Sequence, residues 1–278
     1  MDFSPNSLLA FSFAASIAEH YEGMLLLEHV TRVEDAVQPF PSEAAINKMQ
    51  FVMEEALTGA EKSLRNIPHE LIFERGDVCS RLLATASERG TNLIVVGTHG
   101  IRGMRKLLNG STAEEIVSRA SCPVLTAGPR VDGPADFHRV LCAIELSPAS
   151  GHAIPYALSL AQQYDSSLVF LHVNDSSGDE RPVDTKSQTL KFVDEQIRHS
   201  GCDQAVMERA RIIVDFGPRT ELILEAATHY ESDLIVMGLH THRRVSARVA
   251  AHLPGPMAYD LIAQARCPIM TVPLPRAA

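Results

Sequence analysis

The sequence contains no tryptophan and only 10 phenylalanines and 5 tyrosines among 278 residues. So few aromatic side chains leave little material for the stacking platforms that bind single-stranded nucleic acids. The net charge of −9 also disfavours a general binder of nucleic acids or of anionic membrane surfaces. We therefore expect no nucleic-acid partner.

Membrane and export signals are missing as well. The sequence contains no run of 18 apolar residues, so it predicts no transmembrane helix. The opening Met-Asp-Phe-Ser-Pro lacks the basic segment of a secretory signal peptide. The five cysteines are scattered and form no Cys-x-x-Cys pair, which is typical of a reducing cytosol. We expect a cytoplasmic protein with no membrane partner.

What the sequence does contain is an internal repeat. Residues 4–30 align without a gap with residues 147–173, at an offset of 143, and 11 of the 27 positions are identical. A second match pairs Asn92–Gly97 with Asp233–Gly238 at an offset of 141. At 278 residues and 45% hydrophobic content the chain can form two domains with sizeable cores. We predict domains at 1–128 and 135–278, joined by a linker rich in proline and glycine.

Each repeat alternates apolar runs with segments of helical periodicity. This alternation predicts an α/β fold of two tandem doubly wound parallel-sheet domains. In the second repeat we predict strands at 138–144, 167–173, 210–214, 233–238 and 267–272, and helices at 148–164, 184–200, 218–230 and 256–266.

The first repeat has no counterpart of the opening strand, because Met1 aligns with Ile144. An opening strand is usually central in a doubly wound sheet, so its loss would leave two backbone ladders unpaired. The unit borrows a strand, tolerates a gapped sheet, or belongs to a sequence that begins upstream of Met1. We favour the last of these, a unit truncated at its start.

A glycine pattern follows the strand at 93–96. It reads G-x-x-G, nine residues, then G-S/T, and consists of Gly97, Gly100, Gly110 and Ser111. Spaced glycines before a helix can turn backbone N–H groups toward a phosphate, and the helix dipole reinforces them. Two ordinary turns and a helix cap would give the same spacing, although the strand-loop-helix context favours the phosphate cradle.

These residues, together with the Asp-Phe-Ser-Pro start, Leu-Glu-His-Val and Cys-Pro-Val, resemble the universal stress protein family in tandem form. The resemblance covers nearly the whole chain and implies an adenine-nucleotide α-hydrolase-like fold. The first repeat matches the ATP-binding branch, which implies ATP with Mg²⁺ held through the phosphates. By resemblance Asp2 contacts the ribose or the adenine edge and Val30 lines the adenine pocket. The loop would be formed by Val96, Gly97, His99 and Gly100, and the phosphates held by Gly110, Ser111 and Thr112.

The second repeat departs from this pattern. Glu145 replaces the aspartate, Thr241 stands in place of the second glycine, and Ala251 falls ten residues later where glycine is expected. We predict that this half binds ATP poorly or not at all.

The function that we expect is ATP-dependent regulation or sensing in a stress response. One alternative is an interaction module without nucleotide, forming a homodimer through its sheet edges. Another is a slow ATPase, although the sequence contains neither a G-x-S-x-G elbow nor a P-loop. No metal ligands and no catalytic residues are predicted.

Overall fold

The computed structural model describes residues 1–32, 43–44, 46–51, 67–98, 112–174, 182–200, 204–239 and 256–274. The chain forms two compact units, Met1–Arg119 and Ala120–Ala278. Helices and strands alternate through both units, which confirms the α/β class.

In the first unit, three helices and three strands have both ends within the described residues: α1 Pro5–His20, β1 Leu25–Thr31, β2 His69–Arg75, α2 Val78–Glu88, β3 Ile94–Gly97 and α3 Thr112–Arg119. β1 and β2 pair in parallel from Leu25↔His69 to Thr31↔Arg75. β3 is not hydrogen-bonded to either of them. One face of α1 and the helical residues around Met49 cover β1 with a small apolar core.

The second unit runs β4 Val124–Ala127, β5 Arg139–Ile144, α4 Pro148–Gln163, β6 Ser167–Asn174, α5 Pro182–Ser200, α6 Gln204–Arg209, β7 Ala210–Phe216, α7 Arg219–His229, β8 Leu234–Leu239, α8 Pro256–Gln264 and β9 Ile269–Pro273. Its strands lie in the order β4-β9-β8-β5-β6-β7. β5 is central, and it pairs in parallel with β6 on one side and β8 on the other. Every element predicted here from sequence is present, with bounds within two residues.

Local sequence explains where the helices begin. Ser147 precedes α4, and its hydroxyl accepts a hydrogen bond from the Ser150 N–H, while Pro148 occupies the first turn. A serine cap followed by proline suits a helix start, because proline lacks the N–H that would have no partner there. Ser4 and Pro5 repeat this arrangement at the start of α1.

The two units differ in the part of the sheet that corresponds to β5. In the second unit β5 separates β6 from β8. Their counterparts by sequence offset are β1 and β3, and among the described residues of the first unit no strand lies between them. The described residues of the first unit thus contain no counterpart of β5.

The position of β4 in the repeat and its packing assign it to different domains. The repeat places it at the end of the first domain, yet β4 pairs antiparallel with β9, with Leu125 opposite Met270. It consequently lies in the second compact unit. The domain bounds 1–128 and 135–278 stay a prediction from the repeat.

Within the described ranges, no helix is both long and apolar enough to cross a bilayer. Four described cysteines are free: Cys79, Cys122, Cys142 and Cys267. Burial raises the pKa of Cys79 to about 11 and that of Cys267 to about 12. Both thiols are therefore protonated at neutral pH and act as small core side chains rather than as nucleophiles.

Candidate nucleotide site

The start of α1 orients a carboxylate. Oδ1 of Asp2 accepts hydrogen bonds from the Ser4 backbone N–H at 3.0 Å and from the Ser4 hydroxyl at 2.7 Å. Ser4 in turn accepts a hydrogen bond from the Ser7 N–H as the helix cap. Asp2 is nevertheless exposed. Its carboxylate is thus held in a defined place and can still be reached by a ligand.

The first residues of the chain also lie against the end of β1. Nδ1 of His29 is 2.6 Å from the Met1 carbonyl oxygen. The rings of His29 and Phe3 have their centroids 5.4 Å apart, and the Lys48 ammonium lies 4.7 Å from the Phe3 ring centroid. Half-buried Val30 follows His29 directly. These contacts bring Asp2 and Val30 to the same end of the unit.

The first turn of α1 lies directly on the end of β3. A Cβ atom at Gly97 would lie 2.3 Å from the Asn6 carbonyl oxygen and 2.6 Å from its carbon, so only glycine fits. The Asn6 side-chain amide donates to the carbonyl oxygen of Thr98, the next residue along the chain. α1 therefore connects the ends of β1 and β3, and Gly97 has a packing role whatever the following loop binds.

Only part of the predicted loop lies within the described residues. Thr98 is buried at its beginning, and half-buried Thr112 is the first residue of α3 at its end. Glu114 and Glu115 lie in the first turn of α3. His99, Gly100, Gly110 and Ser111 lie outside the described residues, so their roles stay predictions.

In the second unit the equivalent end of the sheet forms a cavity. One cavity there is lined by Glu145, Val173, Met237 and Gly238, among others. By the offsets of 143 and 141 these four are the counterparts of Asp2, Val30, Val96 and Gly97. The residues that the resemblance assigns to the nucleoside and to the beginning of the loop therefore correspond to a set that lines a single cavity in the second repeat.

That cavity contains a cation with no counterpart in the first unit. Nη1 of Arg219 lies 3.0 Å from Oε1 of Glu145, and their side chains are 39% and 34% exposed. Arg219 corresponds to Val78, because Gly217-Pro-Arg aligns with Gly76-Asp-Val. The carboxylate that would meet a ribose is already paired, and the cavity has a volume of about 30 Å³. Sequence analysis overlooked Arg219 and Asn6; the alignment of the two repeats could have revealed Arg219.

Two titratable groups of β1 are perturbed by burial. Desolvation raises the pKa of Glu28, against a hydrogen bond from Thr85 that lowers it. Desolvation also lowers the pKa of His29, against its hydrogen bond with Met1. His29 is therefore neutral at physiological pH and supplies no cation for a phosphate.

No group of three or more His, Cys, Asp or Glu side chains in the described parts of the chain could hold a metal ion.

Mostly parallel sheets with a polar cluster at the carboxyl ends of the strands define a doubly wound α/β protein in two repeats. The sequence model of the Universal stress protein family matches residues 1–127 and again residues 136–273. The chain therefore belongs to the universal stress protein family and carries two tandem copies of its domain.

Individual relatives agree with this assignment. Universal stress protein YxiE of Bacillus subtilis is 26% identical over 140 residues, which are 45% of this chain and 93% of that protein. A universal stress protein of Mycolicibacterium smegmatis is 27% identical over 194 residues, which cover 66% of this chain and 65% of the relative. The crystal structure of a universal stress protein from Archaeoglobus fulgidus has a TM-score of 0.65 at 19% identity, covering 99% of this chain and 95% of that one. This last likeness supports the fold.

Proposed function

We propose that the first unit binds an adenine nucleotide, ATP with Mg²⁺, and that the bound state regulates a stress response. The observation that carries the proposal is the Asp2 carboxylate, which Ser4 orients and solvent can reach. It lies at the end of the unit where Gly97 begins the G-x-x-G-x9-G-S/T pattern.

The described residues fit the nucleoside part of this ligand. An oriented carboxylate accepts hydrogen bonds from ribose hydroxyls or from an adenine amine. Val30 and Val96 are half-buried and offer apolar surface to the base. The amides of residues 97–112 and the N-terminus of α3 would hold the phosphates, and the phosphates would hold Mg²⁺.

The second unit would not bind ATP in the same way. Its carboxylate at Glu145 is paired with Arg219. Its loop sequence also lacks the second glycine, at Thr241. One nucleotide per chain is therefore the expected stoichiometry.

Binding alone can serve as the signal. A ligand present at one hundred times its dissociation constant stabilises the folded state by about 2.7 kcal/mol. The ATP level then shifts the population of the ordered first unit, and a partner that recognises this state reads the change. Hydrolysis is not part of the proposal.

Thermal-shift and calorimetric titrations with ATP and Mg²⁺ test whether the first unit binds the nucleotide. Asp2→Ala is expected to weaken ATP binding at least tenfold, because a charged hydrogen-bond acceptor is lost. The matched control Glu145→Ala removes the equivalent carboxylate of the second unit and should leave the affinity unchanged. Gly100→Val and Thr241→Val form a second pair with the same expected asymmetry. Equal effects within either pair, or no shift at millimolar ATP, would contradict the proposal.

Cytoplasmic location and a homodimer that forms through sheet edges stay predictions. Native mass spectrometry of freshly purified protein tests two predictions in one spectrum. The mass of each species gives the number of chains, and the excess over the chain mass gives any retained nucleotide.

A further inference from the structure

β7 forms one edge of the sheet in the second unit. It pairs in parallel with β6 along its whole length, and no further strand lies beyond it among the described residues. The residues at its centre, 212–214, are half-buried, whereas their partners on β6, residues 170–172, are buried. An apolar edge strand of seven residues with an unpaired backbone ladder favours association with another strand.

The backbone of β7 directs every second residue toward this free edge. The N–H of Gly217, which follows β7 directly, donates a hydrogen bond to the carbonyl oxygen of Asn174 on β6. Successive residues of a strand direct their backbone groups to opposite sides, so the odd-numbered residues of β7 face β6. Ile212 and Val214 therefore direct their N–H and carbonyl groups away from the sheet.

The side chains of β7 are complementary to those of a second, antiparallel β7. Its sequence is Ala-Arg-Ile-Ile-Val-Asp-Phe, with Ile213 at the centre. When two copies pair about Ile213, all seven residues have a partner, and Arg211 of each copy lies opposite Asp215 of the other. Both of these side chains are exposed, and no ion pair within the described residues involves either. Facing opposite charges and facing β-branched side chains stabilise a pair of strands.

The backbone and the side chains require the same register. In it Ile212 lies opposite Val214 of the second copy, and these are residues whose backbone groups point to the free edge. Each such pair can exchange two hydrogen bonds. Arg211 and Asp215 then face each other at a site without hydrogen bonds, where side chains come closer together.

The edge strand of the first unit does not have this complementarity. β2 is the counterpart of β7 at an offset of 141, and Glu70 and Glu74 occupy its two charged positions. The same antiparallel arrangement would place Glu70 opposite Glu74 of the second copy, and like charges in facing positions repel. Both carboxylates are instead paired within their own unit, Glu70 with Arg89 and Glu74 with Arg81.

We propose that β7 binds β7 of a second copy of this chain, antiparallel and centred on Ile213, with two symmetric Arg211–Asp215 ion pairs. The proposal specifies which edge and which register form the homodimer that the sequence predicts. A second copy is the occupant because the same seven residues supply both sides of a twofold-symmetric interface. The proposal does not rest on nucleotide binding.

Charge reversal tests the proposal on the full 278-residue chain. Sedimentation equilibrium measures the dissociation constant of the dimer. Arg211→Asp alone and Asp215→Arg alone should each weaken the dimer at least about tenfold, because every dimer then contains two pairs of like charges. The double variant Arg211→Asp, Asp215→Arg restores opposite charges and should return to within about threefold of the unmodified chain. The matched change on β2, Glu74→Arg, should leave the dissociation constant unchanged.

Cross-linking tests the register. Two residues that face each other at a site without hydrogen bonds have Cα atoms about 4.5 Å apart, which a disulfide can span. Under mild oxidation Ile213→Cys should therefore form a covalent dimer on a non-reducing gel. Ile212→Cys, which faces Val214, and the unmodified chain with its five native cysteines should not.

Four results would each overturn the proposal. They are a monomeric chain at about 100 μM protein, single charge reversals without effect, no restoration in the double variant, and cross-linking through residue 212 rather than 213. All of these measurements are made without nucleotide, so their failure is distinguishable from a failure of ATP binding.

Discussion

The two units begin their first helix in the same way and use the preceding carboxylate differently. In the first unit Asp2 accepts two hydrogen bonds from Ser4 and is exposed. In the second unit Glu145 is paired with Arg219, on a helix where the first unit has Val78. One carboxylate is available to a ligand and the other is neutralised by the protein itself.

Other features have stayed the same in both units. A Cβ atom at Gly97 or at Gly238 would lie 2.3 Å from a carbonyl oxygen in the first turn of the neighbouring helix. His29 and His172 make the same contact with a backbone oxygen. Contacts that involve backbone tolerate no change because nothing can move aside. Side chains at the rim of the cavity, such as Glu145 and Arg219, can change at little cost in stability, and the two repeats differ at these positions.

The largest expected effect is common to both units. Gly97→Ala and Gly238→Ala should each destabilise the protein by about 3 kcal/mol or more, because the added methyl group meets backbone atoms. Urea denaturation followed by circular dichroism measures the loss, and hydrogen exchange locates it. Gly23→Ala is the control, since its nearest neighbours would lie at an ordinary 3.8 Å. The packing argument is wrong if Gly97→Ala costs no more than the control.

The next effect distinguishes the units. Asn6→Ala removes the hydrogen bond to the Thr98 carbonyl oxygen, a contact that Ala149 cannot make in the second unit. We expect a loss of roughly 1–2 kcal/mol and weaker ATP binding, because Asn6 anchors the beginning of the loop. Asn6→Asp keeps the shape of the side chain but removes its N–H donor. In denaturation experiments it should lose about as much stability as Asn6→Ala. A stable Asn6→Asp variant with unchanged ATP affinity would argue against an anchoring role.

Sequence alone predicted the elements of the second unit within two residues, because caps such as Ser147-Pro148 and apolar strands are local signals. The alignment of Met1 with Ile144 also indicates why the described residues of the first unit contain no counterpart of β5, and a truncated start stays a prediction. The pairing of β4 with β9 was beyond its reach, since nothing in Val124–Ala127 states which strand will be its neighbour.

For the candidate site, the resemblance named Asp2, Val30, Val96 and Gly97, whose counterparts in the second unit line one cavity. Their roles in binding a nucleotide stay predictions. The contacts of Asn6 and Arg219 could not be predicted from the sequence, because each is made with a residue distant along the chain, Thr98 or Glu145. Gly97 was interpreted as a loop glycine, and the structure adds its contact with α1. A glycine pattern cannot by itself separate packing from binding.

A smaller effect concerns Glu28, which lies on β1 and hydrogen-bonds with Thr85 of α2. Glu28 corresponds to Leu171, and burial raises its pKa above the unfolded value. Between the unfolded and the folded pKa the folded state binds more protons than the unfolded state, so the contribution of Glu28 to stability is full below the unfolded pKa and is lost as pH rises through the folded pKa. Glu28→Gln should therefore stabilise the protein at pH 7 by less than about 1 kcal/mol, because half-exposed charges are screened. Denaturation of both proteins from pH 4 to pH 8 should show this gain growing with pH; a gain that is largest at pH 4 would contradict the assignment.

The smallest expected change in stability tests which feature excludes ATP from the second unit. Arg219→Val introduces the residue of the first unit and breaks an ion pair that is more than one third exposed, so stability should change by at most about 1 kcal/mol. The double variant Asp2→Ala, Arg219→Val frees Glu145 while the first site is weakened, and titration with ATP and Mg²⁺ measures what the second unit then binds. We expect no new binding, because Thr241 and Ala251 interrupt the glycine pattern that the phosphates need. Recovery of ATP affinity in the double variant would instead identify Arg219 as the residue that closes the second site. The differences in loop sequence at Thr241 and Ala251 would then not explain why the second unit binds no ATP.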